Sequence, residues 1–150
     1  MFERITNAEP DNWLPPYYAA ENLILDGFIK LDNKVVLEAQ LNQTQNLLND
    51  ASAISKNNPE IMVLQVLLYT VYVANYGAAN GMTLSLKIMS LYDQAEALAS
   101  NSPKAVLNKA DWEMGGARYF GQDIAPFCKD VERALQLFAT FKPKSKFTLS

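Results

Sequence analysis

Apolar residues along most of this chain recur three and four positions apart, the spacing of one face of an α-helix. From Pro15 to Leu31 they fall at Tyr17, Tyr18, Ala20, Leu23, Ile24, Phe28 and Ile29, and Pro15 and Pro16 suit a first turn, where a missing N–H costs little. A second helix is expected from about Asn33 to Ser55, carrying Val35, Leu37, Leu41, Leu47, Leu48, Ala51 and Ile54 among Gln and Asn. Asn57, Asn58 and Pro59 end it and open a third, in which Ile61 to Tyr76 is apolar nearly all round, as befits an element covered on several sides. Gly77 and Gly81 bracket an expected loop over residues 75–83, after which Leu84, Ile88, Leu91, Tyr92, Ala95 and Leu98 mark a fourth helix ending near Ala99. A fifth is expected from Pro103 to Met114, stopped by Gly115 and Gly116. A sixth, from about Ile124 to Phe141, carries Phe127, Val131, Leu135 and Phe138 on one stripe, and Pro143 follows it.

The pattern contains a repeat. Ala51-x-Ala53-Ile54-x-x-Asn57-x-Pro59 matches Ala95-x-Ala97-Leu98-x-x-Asn101-x-Pro103, 44 residues further on, and Val63 matches Leu107 in the same register. The phrase reads as the last turns of one helix, its stop and the first turn of the next. A helix pair repeated at fixed period cannot bury both its faces alone and must lean on the next pair. The fold class expected is therefore all-α, with three stacked antiparallel helix pairs in a TPR-like right-handed α-solenoid. It forms a single domain over residues 1–150, with repeat units at roughly 10–58, 59–102 and 103–143. The period exceeds the usual 34 residues of a tetratricopeptide unit, which lengthened helices and the 75–83 loop would absorb. Phe2, Ile5 and Ala8, followed by Glu9 and Pro10, read as the final turns of an upstream helix, so that residues 1–9 belong to an element that starts earlier.

Composition agrees with a folded chain of one domain: 150 residues with 49% hydrophobic and 19% charged are enough for a sizeable core. A net charge of −3 gives a phosphate backbone no strong reason to bind, and nucleic acid is not expected as a partner. Lys142, Lys144 and Lys146 read as a solvated tail. Ile61 to Ala74, about 14 residues broken by Gln65 and Thr70, falls short of the roughly 20 needed to span a bilayer, so no membrane span is expected. The first 20 residues show no basic stretch leading into an apolar one, hence no visible signal peptide.

Histidine is absent, which removes the commonest general base and the commonest transition-metal ligand together. The lone Cys128 is expected as a small core residue. Gly115-Gly116-Ala117-Arg118-Tyr119-Phe120-Gly121 lacks both a preceding strand and a Gly-Lys-Ser/Thr, so it is expected to be an inter-helix loop whose aromatics cover the helix pair and not a phosphate cradle. Asp111 with Glu113, and Asp130 with Glu132, stand two apart on helices and cannot form an acid–base pair. Asp123 is placed as a helix cap. No catalytic residue, metal site or cofactor is expected, and the chain is not read as an enzyme.

Six segments go together: Phe2-Glu3-Arg4-Ile5, Trp13-Leu14-Pro15-Pro16-Tyr17-Tyr18-Ala19-Ala20, Asn57-x-Pro59-Glu60-Ile61, Asn101-x-Pro103-Lys104-Ala105, Tyr119-Phe120-Gly121 and Phe138-x-x-Phe141-Lys142-Pro143. In these the chain resembles a family of small tetratricopeptide-like proteins of Bacteroidetes. The family carries no assigned biochemical role. The resemblance implies export, to the periplasm or beyond, with the signal removed. It also implies that the first helix of each pair lines a concave face, which makes Glu21, Glu60, Thr70, Lys104 and Asp111 groove candidates. Tyr17 joins them from the aromatic set Trp13, Tyr17, Tyr18, Trp112, Tyr119 and Phe120, most of which are expected in the core. The function expected is a non-catalytic module that binds a protein or peptide. The alternative is a structural protein that self-associates as a homo-oligomer through an exposed apolar edge, and the least favoured reading is an enzyme built on Asp or Glu.

Overall fold

The computed structural model describes residues 9–29 and 33–142. The upstream-helix reading of the first residues, the extension of the first helix to Leu31, and the lysines at 144 and 146 lie outside the described residues. Among those described there are six helices and no strand: α1 (Leu14–Ile29), α2 (Lys34–Ile54), α3 (Pro59–Tyr76), α4 (Ala78–Leu98), α5 (Pro103–Tyr119) and α6 (Ala125–Thr140).

The repeated phrase turns out to be a capping device. Its residue before proline is the N-cap: the Asn58 side chain accepts from the Glu60 N–H at 2.9 Å, and the Ser102 hydroxyl accepts from the Ala105 N–H at 3.3 Å. Pro59 and Pro103 follow as the first helical residues, where no N–H is needed. Asn33 caps α2 in the same way, through the Val36 N–H. Asp123 stands one residue before Ile124, the N-cap of α6, and its carboxylate accepts from the Ala125 N–H at 3.0 Å, so it meets the first turn from just outside the cap position.

Helices pair as α1 with α2, α3 with α4, and α5 with α6. α3 also touches α1, α2 and α5, and α5 touches α4. The first helices of successive pairs run parallel. Glu60 near the start of α3 meets Lys104 near the start of α5, and Val71 late in α3 lies where a Cβ on Gly27, late in α1, would sit 3.3 Å from it. With four neighbours, α3 buries Ile61, Val63, Leu64, Val66, Leu68 and Val71, and this burial overrides the weak helix preference of its valines. The main core joins Tyr17, Ala20 and Ile24 of α1, Leu37, Leu41, Leu48 and Ala51 of α2, and Ile61, Leu64, Leu68 and Val71 of α3. Two smaller clusters tie α3 and α4 to α5 through Val63, Ala95 and Ala105, and through Val66, Ile88, Tyr92 and Trp112.

Four expectations need correction. The 75–83 loop is a single residue, Gly77, whose φ of 78° and ψ of −172° fold α4 back on α3. Gly81 lies inside α4, where its bare Cα faces Val73, so lengthened helices alone account for the long period. α5 runs through Gly115 and Gly116 and ends instead at Tyr119, closed by Gly121 (φ 66°) beyond the Phe120 C-cap, where Gln122 N–H bonds to the Ala117 carbonyl and Gly121 N–H to that of Arg118. That pair of bonds is the Schellman closure, and it needs glycine at one place only. Tyr119 and Phe120 stack edge to face with centroids 5.1 Å apart and are exposed; they do not cover the helix pair. Cys128 is exposed, not in the core, its thiol 3.8 Å from the Ile124 carbonyl. The reason is that α6 packs mainly on α5 and buries only Ala134 fully, which leaves Leu135 and Phe138 of its apolar stripe exposed.

Candidate functional site

Because α1, α3 and α5 run side by side in the same direction, their first turns form one surface. Four of the six groove candidates come together there. Glu60 and Lys104 occupy the second position of α3 and α5, and their charged groups approach to 3.8 Å. Tyr17 is buried in α1, its ring edge-on to Trp13 at 5.4 Å and to Tyr18 at 5.5 Å. Burial first, then the Glu21 and Glu60 charges, holds the Tyr17 phenol far above its ordinary value, so it stays neutral. Tyr18 is shifted upward for the same reasons, though its ring is partly open to solvent.

Glu60 is the unusual member. Its side chain is 11% exposed, and its Oε2 is buried with no hydrogen-bond partner. Burial raises its pKa, the Lys104 ammonium opposes this, and Glu21 adds to it. A carboxylate so placed is short of hydrogen-bond donors, since the lysine is close enough to attract it and too far to bond. What this face offers is the negative charge of Glu60 and Glu21 beside a partly exposed phenol ring, with Glu60 Oε2 itself closed to solvent.

The other two candidates stand apart. Thr70 lies ten residues along α3 from Glu60, about 15 Å away, and its hydroxyl bonds to the Val66 carbonyl of its own helix at 3.0 Å. Asp111 is exposed on α5, and its charge falls on the buried Tyr92 of α4, whose phenol is raised by burial first and then by Asp111 and Glu113. Trp13 and Trp112 pack against core clusters and Tyr17 lies within one, but Tyr18, Tyr119 and Phe120 are exposed, so half of the aromatic set and not most of it belongs to the core.

Sequence reasoning paired carboxylates along one helix and so missed those that meet between helices. Glu113 of α5 is raised by burial, an effect that Lys109 opposes and Asp130 of α6 reinforces. Lys109 binds Asp93 at 2.9 Å and Glu96 at 3.1 Å, while Arg133 of α6 bonds to Glu96 at 3.1 Å and to the Ser100 carbonyl at 2.8 Å, clamping the third pair to α4. Every charge in this network has a partner within the fold, which suits a structural clamp. Also unforeseen is the amide pair Gln45–Gln65, two reciprocal hydrogen bonds of 2.8 Å between α2 and α3. Beside it a shallow cleft of about 230 Å³ is lined by Ser52, Ser55, Asn57, Asn58, Ile61, Met62, Gln65 and Leu91. That is below the roughly 300 Å³ at which small-molecule sites begin. Among the described residues no group of three carboxylates or thiolates converges as a metal-ligand set, and no helix is long and apolar enough to cross a membrane.

In comparisons with family models, with curated proteins and with solved structures, nothing matches this chain.

Proposed function

We propose that this chain is a non-catalytic binding module, a TPR-like α-solenoid of three helix pairs that receives a peptide or protein segment across the first turns of α1, α3 and α5. The observation that carries the reading is the Glu60 carboxylate, with Oε2 buried and unbonded, set among Tyr18, Glu21 and Lys104 on one face of the parallel first helices. A segment bringing a basic side chain is drawn by the Glu21 and Glu60 charges, and the exposed Tyr18 ring gives it an apolar or cation–π contact. The order of helix contacts supports the solenoid, since each second helix lies against the next first helix and the first helices lie against one another. A relation to the tetratricopeptide-like proteins of Bacteroidetes rests on the segments quoted above.

The test is selection from a random peptide library on the full chain, repeated with a Glu21→Gln, Glu60→Gln double variant. The expected result is an enriched sequence motif whose affinity falls about tenfold or more on the variant. An absence of enrichment, or peptides that bind both proteins equally, would refute the assignment of this face.

A further inference from the structure

Within the chain, the open face of a second helix is covered twice by the first helix of the following pair. α2 is covered by α3 through Leu48, Ala51, Ile61 and Leu64, and α4 by α5 through Ala95 and Ala105, Tyr92 and Trp112. α6 holds the same place in the third pair, and no described helix lies on its outer side. Its positions 128, 131, 135 and 138 form one stripe at helical spacing, in which Cys128 is exposed, Leu135 is 62% exposed and Phe138 41%. At the far end of the stack, α1 is a first helix with no described helix before it. Its outward stripe runs through positions 18, 22, 25 and 29, with Tyr18 38%, Leu25 55% and Ile29 80% exposed and Asn22 exposed between them.

The stripes themselves are uncharged, but the segments that carry them differ. Residues 9–29 hold Glu9, Asp11, Glu21 and Asp26 and no basic side chain, whereas residues 125–142 hold Lys129 and Lys142 against Asp130 and Glu132, with Arg133 paired to Glu96 within the fold. The two apolar stripes lie on a first and a second helix, the combination that the chain itself packs together twice. We propose that a second copy of this chain docks its α1 stripe on the α6 stripe, repeating between molecules the contact that α3 makes on α2 and α5 on α4. Such a contact joins different surfaces of two identical chains, so it does not close on itself and adds copies head to tail. One helix laid across one helix gives a small interface, and the association is accordingly weak, with growth toward the upper end of the concentration range.

Sedimentation equilibrium from micromolar to near-millimolar concentration tests this with two variants, Leu25→Asp and Leu135→Asp. Both side chains are exposed, and unchanged thermal melts will verify that the fold is kept. The wild-type mean mass is expected to rise with concentration and pass that of a dimer. Each variant alone has one blocked end and stays monomeric over the same range, its association weakened about tenfold or more. An equimolar mixture of the two restores a dimer and nothing larger, because each supplies the end that the other lacks. A wild-type mass independent of concentration overturns the proposal. So does a Leu25→Asp variant that dimerises alone, which would mean α6 pairing with α6, and so does a mixture that stays monomeric.

Discussion

The glycines of α5 offer the most direct test of the structure, because two readings of them predict opposite signs. Gly115 and Gly116 lie within the helix with ordinary negative φ, and an added Cβ at either meets nothing within 4 Å. Replacing glycine by alanine at an exposed helical site stabilises by about 0.5–1 kcal/mol, mostly by narrowing the unfolded ensemble. The double variant Gly115→Ala, Gly116→Ala should gain about 1–2 kcal/mol. At roughly 2–4 °C per kcal/mol for a chain of this size, that raises Tm by about 2–8 °C. Gly121→Ala serves as the control. Its φ of 66° closes the helix, and an L-residue there costs about 1–2 kcal/mol, so its Tm should fall. Thermal unfolding followed by circular dichroism at 222 nm (about the α-helical minimum) reads both signs, and urea titration gives the free energies. If the double variant melts lower than the parent, or Gly121→Ala melts higher, then α5 ends at Gly115 and the assignment of its last turns is wrong.

Three further outcomes follow from the packing and the charges. Leu68→Ala, at a fully buried position of the main core, should lose about 2–5 kcal/mol in urea unfolding, while Leu86→Ala on the exposed side of α4 should stay within about 0.5 kcal/mol of the parent; equal losses would contradict the burial of α3. Glu60 has a folded pKa above its ordinary value, so the native state binds its proton more tightly than the unfolded chain does. Its charge therefore lowers stability fully above the folded pKa, and the penalty fades as pH falls through that value to below the ordinary one. Glu60→Gln should be the more stable protein at pH 7 (about neutral), with the advantage shrinking on acidification; an advantage that grew with acid would reverse the sign. Glu96 is held below its ordinary value, first by the Lys109 hydrogen bond and also by Arg133, so its contribution is present above the unfolded pKa and is lost as pH drops through the folded one. Glu96→Gln should cost up to about 1 kcal/mol at low salt and less at high salt, and an effect that salt leaves unchanged would argue against a charge clamp.

The candidate site shows where reading a chain stops and packing begins. Glu21, Glu60 and Lys104 follow from their positions on first helices and Tyr17 from the aromatic set, and the four come together. The same reasoning also selected Thr70 and Asp111, which do not join them, because a place on a helix fixes a face only when the crossing partner is known. The buried, unbonded state of the Glu60 oxygen had no signal in the sequence at all, since it depends on what α1 and α5 place around it.

By itself the sequence determined six helices among the described residues, through apolar periodicity, and the starts of α3 and α5, through the Asn-x-Pro phrase whose middle residue caps the next helix. Those signals are local, carried by residues a few positions apart. Only the tertiary structure decided where helices end at glycine, because glycine is tolerated inside a helix at modest cost and is required only where φ turns positive, as at Gly77 and Gly121. It also decided which apolar stripes are covered: Ala95 of α4 lies beneath α5, while Leu135 of α6, on an equally apolar helix face, has no described helix above it. Burial is a property of neighbours, and neighbours far apart in the chain leave no periodicity to read.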